Sequence, residues 1–172
     1  MSNADLILYN GLHLEGAMSE VLEQMSGRIQ TFAVSEGIDK GILLSSADYK
    51  GAHDPHIWFD VTLWMKAVEG IRDMLKKINQ DKAEIYENNA RAYLAKLDSL
   101  HQYVKSQAEI IPEQQRVLIT AHDAFSYFGR AYGFEVKGLQ GISTVSEAGT
   151  TDVKDLAEYI VNNKIPAIFI ES

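Results

Sequence analysis

The 172-residue sequence contains no cysteine, no long apolar run and no excess of basic residues. The absence of cysteine excludes both a disulfide framework and a thiolate metal site, so any metal ligand must be histidine, aspartate or glutamate. No apolar run approaches the ~20 residues that span a bilayer, and no secretory leader is visible. We therefore expect any signal segment or lipid anchor to lie outside this chain.

The charge balance is acidic, with 16 Lys and Arg against 24 Asp and Glu and a net charge of −8. The basic residues form no stripe, which argues against nucleic-acid binding. An acidic surface attracts cations, although the same charge also serves solubility alone. The sequence also lacks a nucleophile elbow, a phosphate-binding glycine loop and a cysteine nucleophile, so we predict no enzymatic activity.

Apolar periodicity predicts alternating strands and helices. The predicted strands are 5–10, 28–34, 116–120, 134–139 and 167–170, and the predicted helices are 12–25, 61–78, 81–111, 123–132 and 151–163. This alternation predicts an α/β fold with parallel sheets and right-handed crossovers. In open sheets of this kind, ligands bind beyond the carboxyl ends of the strands.

The predicted helix 81–111 suggests how the domains are arranged. A helix of about 30 residues is ~45 Å long, too long for the interior of one small domain. We therefore expect residues 4–80 to form the end of an N-terminal α/β lobe, 81–111 to form a linking helix, and 112–172 to form the start of a C-terminal α/β lobe. Residues 35–59 are irregular and contain the dense cluster "GAHDPHIWFD", and a loop of this length usually has a function.

Two of the five histidines stand out by position. His122 directly follows a predicted strand, with Asp123 as the expected N-cap of the next helix, and His56 lies in "DPHIW". Position alone leaves open whether each one is a metal ligand or an ordinary loop residue. His53 is expected to be a bystander, because Pro55 makes a shared helical face with His56 unfavourable. His13 and His101 are expected to be surface or structural residues.

Four ordered motifs carry a family resemblance: "ADLILYNGLHLEG", "DPHIWFD", "LITAHDAFSYFGRAYGFEVKGLQGISTVSEAGTTD" and "IPAIFIES". Together they resemble, across nearly the whole chain, the metal-binding receptors of bacterial ABC transporters, the cluster A-I family for manganese and zinc. The resemblance implies two α/β lobes joined by a long rigid helix, with a divalent metal bound between them. It also implies a location in the periplasm or on the cell surface as a lipoprotein, and delivery of the metal to a transporter permease.

The resemblance also assigns candidate ligands. The family's ligand in Asp-Pro-His-x-Trp falls on His56, and its ligand in Thr-Ala-His-Asp-Ala-Phe falls on His122. Two further family ligands have no counterpart here. We therefore expect this chain to correspond to the central portion of a family member, with both lobes incomplete. We also expect it to self-associate. Asp60 or Asp123 could orient a ligand histidine, or could serve only as a helix cap.

The sequence leaves open both which metal is bound and whether the protein is a transport receptor. We favour manganese over zinc, with iron third, because "GLQGISTVSEAGTTD" resembles the manganese branch and the chain lacks a long His-rich acidic loop. Affinity alone does not decide, since nitrogen and oxygen sites generally bind zinc more tightly than manganese. A surface adhesin of the same family is an alternative, though no repeat or aromatic patch calls for one. A metal-dependent phosphohydrolase is a weaker alternative, because the His-Asp pair follows a strand here.

Overall fold

The structure, a computed structural model, describes residues 4–46, 51–140 and 149–170. It is an α/β protein whose described elements are β1 (Leu6–Tyr9), α1 (Met18–Met25), β2 (Gln30–Ala33), α2 (Val61–Ile78), α3 (Ala83–Ile110), β3 (Val117–His122), α4 (Ser126–Tyr132), β4 (Glu135–Gln140) and α5 (Thr150–Asn163). The chain divides into two compact units. The first comprises Met1–Leu43 and Val61–His101, and the second comprises Leu44–Asp60 and Gln102–Ser172.

The first unit contains a parallel pair of strands covered by a helix. β1 pairs with β2 in a register that runs from Leu6 opposite Gln30 to Tyr9 opposite Ala33. Its core combines β2 with α2, whose apolar residues recur every three or four positions. The core cluster consists of Phe32, Val34 and Ala67, with Leu6, Trp64, Ile71 and Met74 packed against it.

Helix α1 begins at Met18, later than the predicted position 12. Gly11, Leu12 and His13 have φ angles of 82°, 56° and 65°, which belong to the left-handed region and interrupt a right-handed helix. The Glu15 carboxylate stabilises this turn by accepting the main-chain N–H of Asn10 at 2.7 Å. Residues 12–17, predicted as the start of the helix, therefore form a compact turn before it.

The long helix predicted at 81–111 is observed as α3. Its 28 residues extend over about 42 Å at ~1.5 Å per residue. The boundary between the units falls within it, after His101. Its buried residues, Ala90, Leu97 and Ala108, are widely spaced along it. Within the described residues, no helix combines the length and apolar character required to cross a membrane.

The second unit is built on a parallel pair, β3 and β4, whose register runs from Val117 opposite Glu135 to His122 opposite Gln140. Helix α4 lies very close to β4, since a Cβ placed on Gly129 would come 2.7 Å from Val136 Cγ2 of that strand. The segment 167–170, predicted as a strand, forms a single parallel bridge in the described chain. There, Phe169 N–H donates to the Ile119 carbonyl at 2.8 Å.

The observed units differ from the predicted domain boundaries in one respect that concerns the site. Residues 44–60 were assigned to the N-terminal lobe from the sequence, whereas their contacts group them with residues 102–172. The physical reason lies in hydrogen bonds between this segment and α4, which the next subsection describes. The two motif histidines consequently belong to the same unit.

Candidate metal site

His56 and His122 lie side by side in the second unit. His56 precedes the 3₁₀ turn Ile57–Phe59, and His122 is the last residue of β3. Their ring centroids are 5.6 Å apart and their planes differ by 57°. Imidazole nitrogens bind zinc at ~2.0–2.1 Å, so two rings on one tetrahedral ion have centroids roughly 5 to 6 Å apart. The observed separation fits a single ion shared by the two rings.

The His56 ring is held by Asp54. Its Nδ1 lies 2.7 Å from Asp54 Oδ1, and its main-chain N–H donates to the same oxygen at 2.9 Å. Because a carboxylate accepts both bonds, the ring proton belongs on Nδ1 and the lone pair on Nε2. Both side chains are buried, with His56 5% and Asp54 1% exposed. This arrangement leaves Nε2 as the nitrogen that could bind a metal.

Aromatic side chains of the 3₁₀ turn lie next to His56 and next to the residue that precedes α4. The Trp58 ring meets His56 edge-on at 5.2 Å between centroids. The Phe59 ring lies 4.2 Å from that of Phe125, which immediately precedes α4. Trp58 thus covers one edge of the His56 ring with apolar surface. An apolar neighbour of this kind limits solvent access to the His56 ring.

Tyr127 links the segment that carries His56 to helix α4. The buried Tyr127 hydroxyl donates to the Asp54 carbonyl at 2.9 Å and accepts the Leu44 N–H at 3.0 Å. The Asp54 N–H in turn donates to the Leu44 carbonyl at 2.9 Å. Leu44 and Asp54 are therefore linked twice. One link is a direct main-chain hydrogen bond, and the other runs through the Tyr127 hydroxyl, which bonds to both residues. Burial raises the pKa of Tyr127 to about 12, so the hydroxyl stays protonated and able to donate.

The sequence did not identify Asp54 as the partner of His56. It pointed to Asp60 and Asp123, and both of these hold residues of α4. Asp60 Oδ2 lies 3.6 Å from Arg130 Nη2, and Asp123 Oδ1 accepts the Ser126 hydroxyl at 2.9 Å. The available signal for Asp54 was its place two residues before His56 in the Asp-Pro-His motif.

The expected N-cap role of Asp123 is not observed. Helix α4 begins at Ser126 with Phe125 as its N-cap, rather than at Asp123. The Ala124 N–H donates to the His122 carbonyl at 3.0 Å, which turns the chain away from helical geometry directly after β3. The Asp123 side chain is therefore placed to bond the Ser126 hydroxyl in the first turn of the helix.

The other histidines lie elsewhere. His53 pairs with Ser45 in an isolated antiparallel bridge, His101 lies on α3, and His13 lies in the turn before α1. Across residues 4–46, 51–140 and 149–170, no group of three or more His, Cys, Asp or Glu side chains is arranged to hold a metal ion. The stretch behind the manganese preference lies partly outside the described residues, at 141–148.

Comparisons with known proteins agree with these observations. A family model described as zinc-uptake complex component A, periplasmic, matches residues 1–172. Zinc-binding protein TroA of Treponema pallidum is 49% identical over 174 residues, and manganese-binding lipoprotein MntA of Bacillus subtilis is 43% identical over 172. The alignments cover 100% of this chain but 55% and 56% of those relatives. The chain thus spans little more than half the length of these relatives.

Solved structures show the same fold. The periplasmic zinc binding protein TroA from Treponema pallidum superposes with a TM-score of 0.94 at 50% identity, covering 99% of this chain and 61% of that one. Fe(III)-bound YtgA from Chlamydia trachomatis superposes with a TM-score of 0.87 at 28% identity, covering 98% of this chain and 63% of that one. The α/β fold with parallel strands and a long helix is therefore shared with periplasmic metal-binding proteins.

Proposed function

This chain belongs to the zinc-uptake complex component A family, and we propose that the protein binds a divalent transition metal ion outside the cytoplasm and delivers it to an ABC importer. TroA is named as a periplasmic zinc-binding protein and MntA as a manganese-binding lipoprotein, and these names support the location and the cargo. The metal is cargo, so the site must bind it and release it. We propose a binding protein rather than an enzyme, with the importer permease as its partner.

His56 and His122 are the proposed ligands in this chain. The observation that carries the proposal is the 5.6 Å separation of the two rings, one of which is fixed by a buried carboxylate. Neutral imidazole is a good ligand for zinc, manganese and iron. Asp60 and Asp123 remain candidate acceptors for a ligand ring, in addition to the bonds they make to α4.

Manganese remains the favoured cargo, with zinc next. The similar proteins include one named for zinc and one named for manganese, so their names support both metals. Imidazole and carboxylate donors accept either ion, and zinc binds more tightly in a simple affinity measurement. We therefore use Zn²⁺ as the probe of the ligands, independently of which metal is transported.

Alanine substitutions test the ligand assignment. We expect His56→Ala and His122→Ala each to weaken Zn²⁺ binding at least tenfold, equivalent to ~1.4 kcal/mol, because each removes a nitrogen donor. His101→Ala, the same change on α3, serves as the matched control and should leave the affinity unchanged. Isothermal titration calorimetry measures all three. Equal effects at His101 and His122 would contradict the assignment.

A further inference from the structure

The Asp54 carboxylate is buried with only one of its oxygens hydrogen-bonded. Oδ1 accepts two bonds from His56, while Oδ2 has no hydrogen-bond partner among the described residues. Burying a charged oxygen without a partner is costly, unless a nearby charge compensates it. A cation on Nε2 of His56 would lie across the same ring from the carboxylate and would supply that compensation. The free-energy cost of burying Asp54 Oδ2 without a partner therefore indicates that this side chain serves the metal site.

The main chain of Asp54 is fixed as firmly as its side chain. Its N–H donates to the Leu44 carbonyl, and its carbonyl accepts the Tyr127 hydroxyl. Tyr127 is fully buried, so this phenol has no freedom to change partners. The Tyr127 hydroxyl is therefore the direct hydrogen-bond link between the Asp54 main chain and α4, beside the Asp60–Arg130 contact in the same segment.

We propose that Asp54 and Tyr127 are positioning residues for the metal ligand His56, an inference that rests on the proposed function. Asp54 holds the proton on Nδ1 and so presents the Nε2 lone pair to the ion. Tyr127 holds Asp54 and, through α4, ties the segment that carries His56 to the chain that follows His122. The two residues together set the spacing of the imidazoles, which neither ligand sets by itself.

The ring proton of His56 provides a readout that does not depend on metal. In the metal-free chain, ¹⁵N NMR of labelled histidine should show His56 protonated on Nδ1. Asp54→Asn keeps an acceptor oxygen and should retain this tautomer, with Zn²⁺ affinity between those of the wild type and Asp54→Ala. Asp54→Ala removes the acceptor, so we expect the tautomer to change and Zn²⁺ affinity to fall tenfold to a hundredfold, the range typical for such partners.

Tyr127→Phe tests the second residue. It removes one hydroxyl and keeps the ring, so we expect Zn²⁺ affinity to fall severalfold while the fold is retained. Tyr132→Phe makes the same change elsewhere on α4 and should alter the affinity less than twofold. All affinities are measured by calorimetry on the 172-residue chain, at a temperature where circular dichroism shows every variant folded.

The outcomes separate this inference from the proposed function. If His56→Ala weakens Zn²⁺ binding but Asp54→Ala preserves both tautomer and affinity, the positioning role is wrong and the metal site stands. If Tyr127→Phe and Tyr132→Phe behave alike, Tyr127 has no part in positioning. If His56→Ala has no effect on Zn²⁺ binding, the proposed function fails, and the positioning role fails with it.

Discussion

At the scale of single residues, Tyr127 shows how burial changes the chemistry of a side chain. Loss of solvent is the main reason that its pKa rises to about 12, and the Asp54 and Asp60 carboxylates raise it further. The Leu44 N–H and the Arg130 guanidinium, 5.1 Å from the ring centroid, act in the opposite direction. The neutral phenol is therefore favoured in the folded state.

The raised pKa of Tyr127 predicts a loss of stability in alkali. Between the unfolded pKa of ~10 and the folded pKa of about 12, the folded state binds more proton than the unfolded state. The neutral Tyr127 phenol therefore contributes roughly 2 to 3 kcal/mol to the free energy of unfolding. This contribution is fully present below pH ~10 and is lost as the pH rises through about 12. Urea unfolding at increasing pH measures it.

Two tyrosine variants provide the control for this measurement. Tyr127→Phe should be less stable than the wild type at pH ~9, and the difference should narrow as the pH approaches 12. Tyr103→Phe, on the exposed part of α3, should leave the pH profile of the wild type unchanged. Parallel profiles for the wild type and Tyr127→Phe would show that this phenol does not titrate as described.

The sequence picks out His56 and His122 because they lie in motifs with a fixed order, and the structure places their rings 5.6 Å apart. Asp54 was missed for a physical reason. Sequence spacing tells which residues are neighbours, but the direction of the Asp54 side chain depends on the turn at Pro55 and on main-chain bonds to Leu44 and Tyr127. The bond between Asp54 and Tyr127 joins residues 73 positions apart in sequence, and the Tyr127 hydroxyl is itself bonded to Leu44, 83 positions away, which no local pattern reveals.

At the scale of elements, apolar periodicity predicted β1, β2, α2, α3, β3, β4 and α5 to within a few residues at their ends. The exceptions have local causes. Left-handed backbone at Leu12 and His13 delays α1, and the bond from the Ala124 N–H to the His122 carbonyl delays α4. Such turns depend on single dihedral angles and hydrogen bonds, which periodicity does not detect.

Gly138 offers a test of how β4 supports the chain after His122. A Cβ added to Gly138 would lie 2.5 Å from the Asp123 main-chain nitrogen. Gly138→Ala must therefore displace the residue next to His122, so we expect a loss of about 1–3 kcal/mol of stability. We also expect weaker Zn²⁺ binding, because the His122 ring moves with its main chain.

Gly27→Ala is the matched control, because nothing lies within 4 Å of a Cβ at that position. It should change stability by less than 1 kcal/mol and should leave Zn²⁺ binding unaltered. Chemical denaturation and calorimetry on both variants make the comparison. Wild-type stability in Gly138→Ala would show that the β4 backbone yields without cost at this contact.

At the scale of the whole molecule, the second unit contains both proposed ligands within this chain. The segment 44–60 contributes His56, Asp54 and the aromatic contacts, and it belongs to this unit although the long helices α2 and α3 separate it in sequence from β3. Binding of an ion to these two histidines would therefore stabilise the second unit itself. The first unit contributes none of the contacts described at the site.

Exposed apolar residues near the end of the chain predict self-association. Ile168, Phe169 and Ile170 are 53%, 56% and 78% exposed, and Phe169 forms one main-chain bridge to β3. Adjacent exposed apolar residues favour contact with another chain. We expect light scattering to detect oligomers whose amount rises with concentration, and to detect fewer of them for Ile168→Lys combined with Ile170→Lys.

Val153→Lys combined with Val161→Lys is the control for this prediction, since these residues are 47% and 73% exposed on α5 and the double change adds the same two charges outside the 168–170 segment. It should leave the oligomers largely intact. A chain that remains monomeric at every concentration would rule out self-association through these residues. An equal effect of all the lysine substitutions would assign the change to net charge alone.

The phenol inserted between Leu44 and Asp54 also has a kinetic consequence. An amide proton exchanges with solvent when its hydrogen bond opens, and the Leu44 amide is bonded to a side chain of α4 rather than to a neighbouring strand. This proton is released when the loop and the helix separate. The exchange rate of the Leu44 amide proton therefore reports how often α4 separates from this loop, although Leu44 and Tyr127 lie 83 positions apart in the chain.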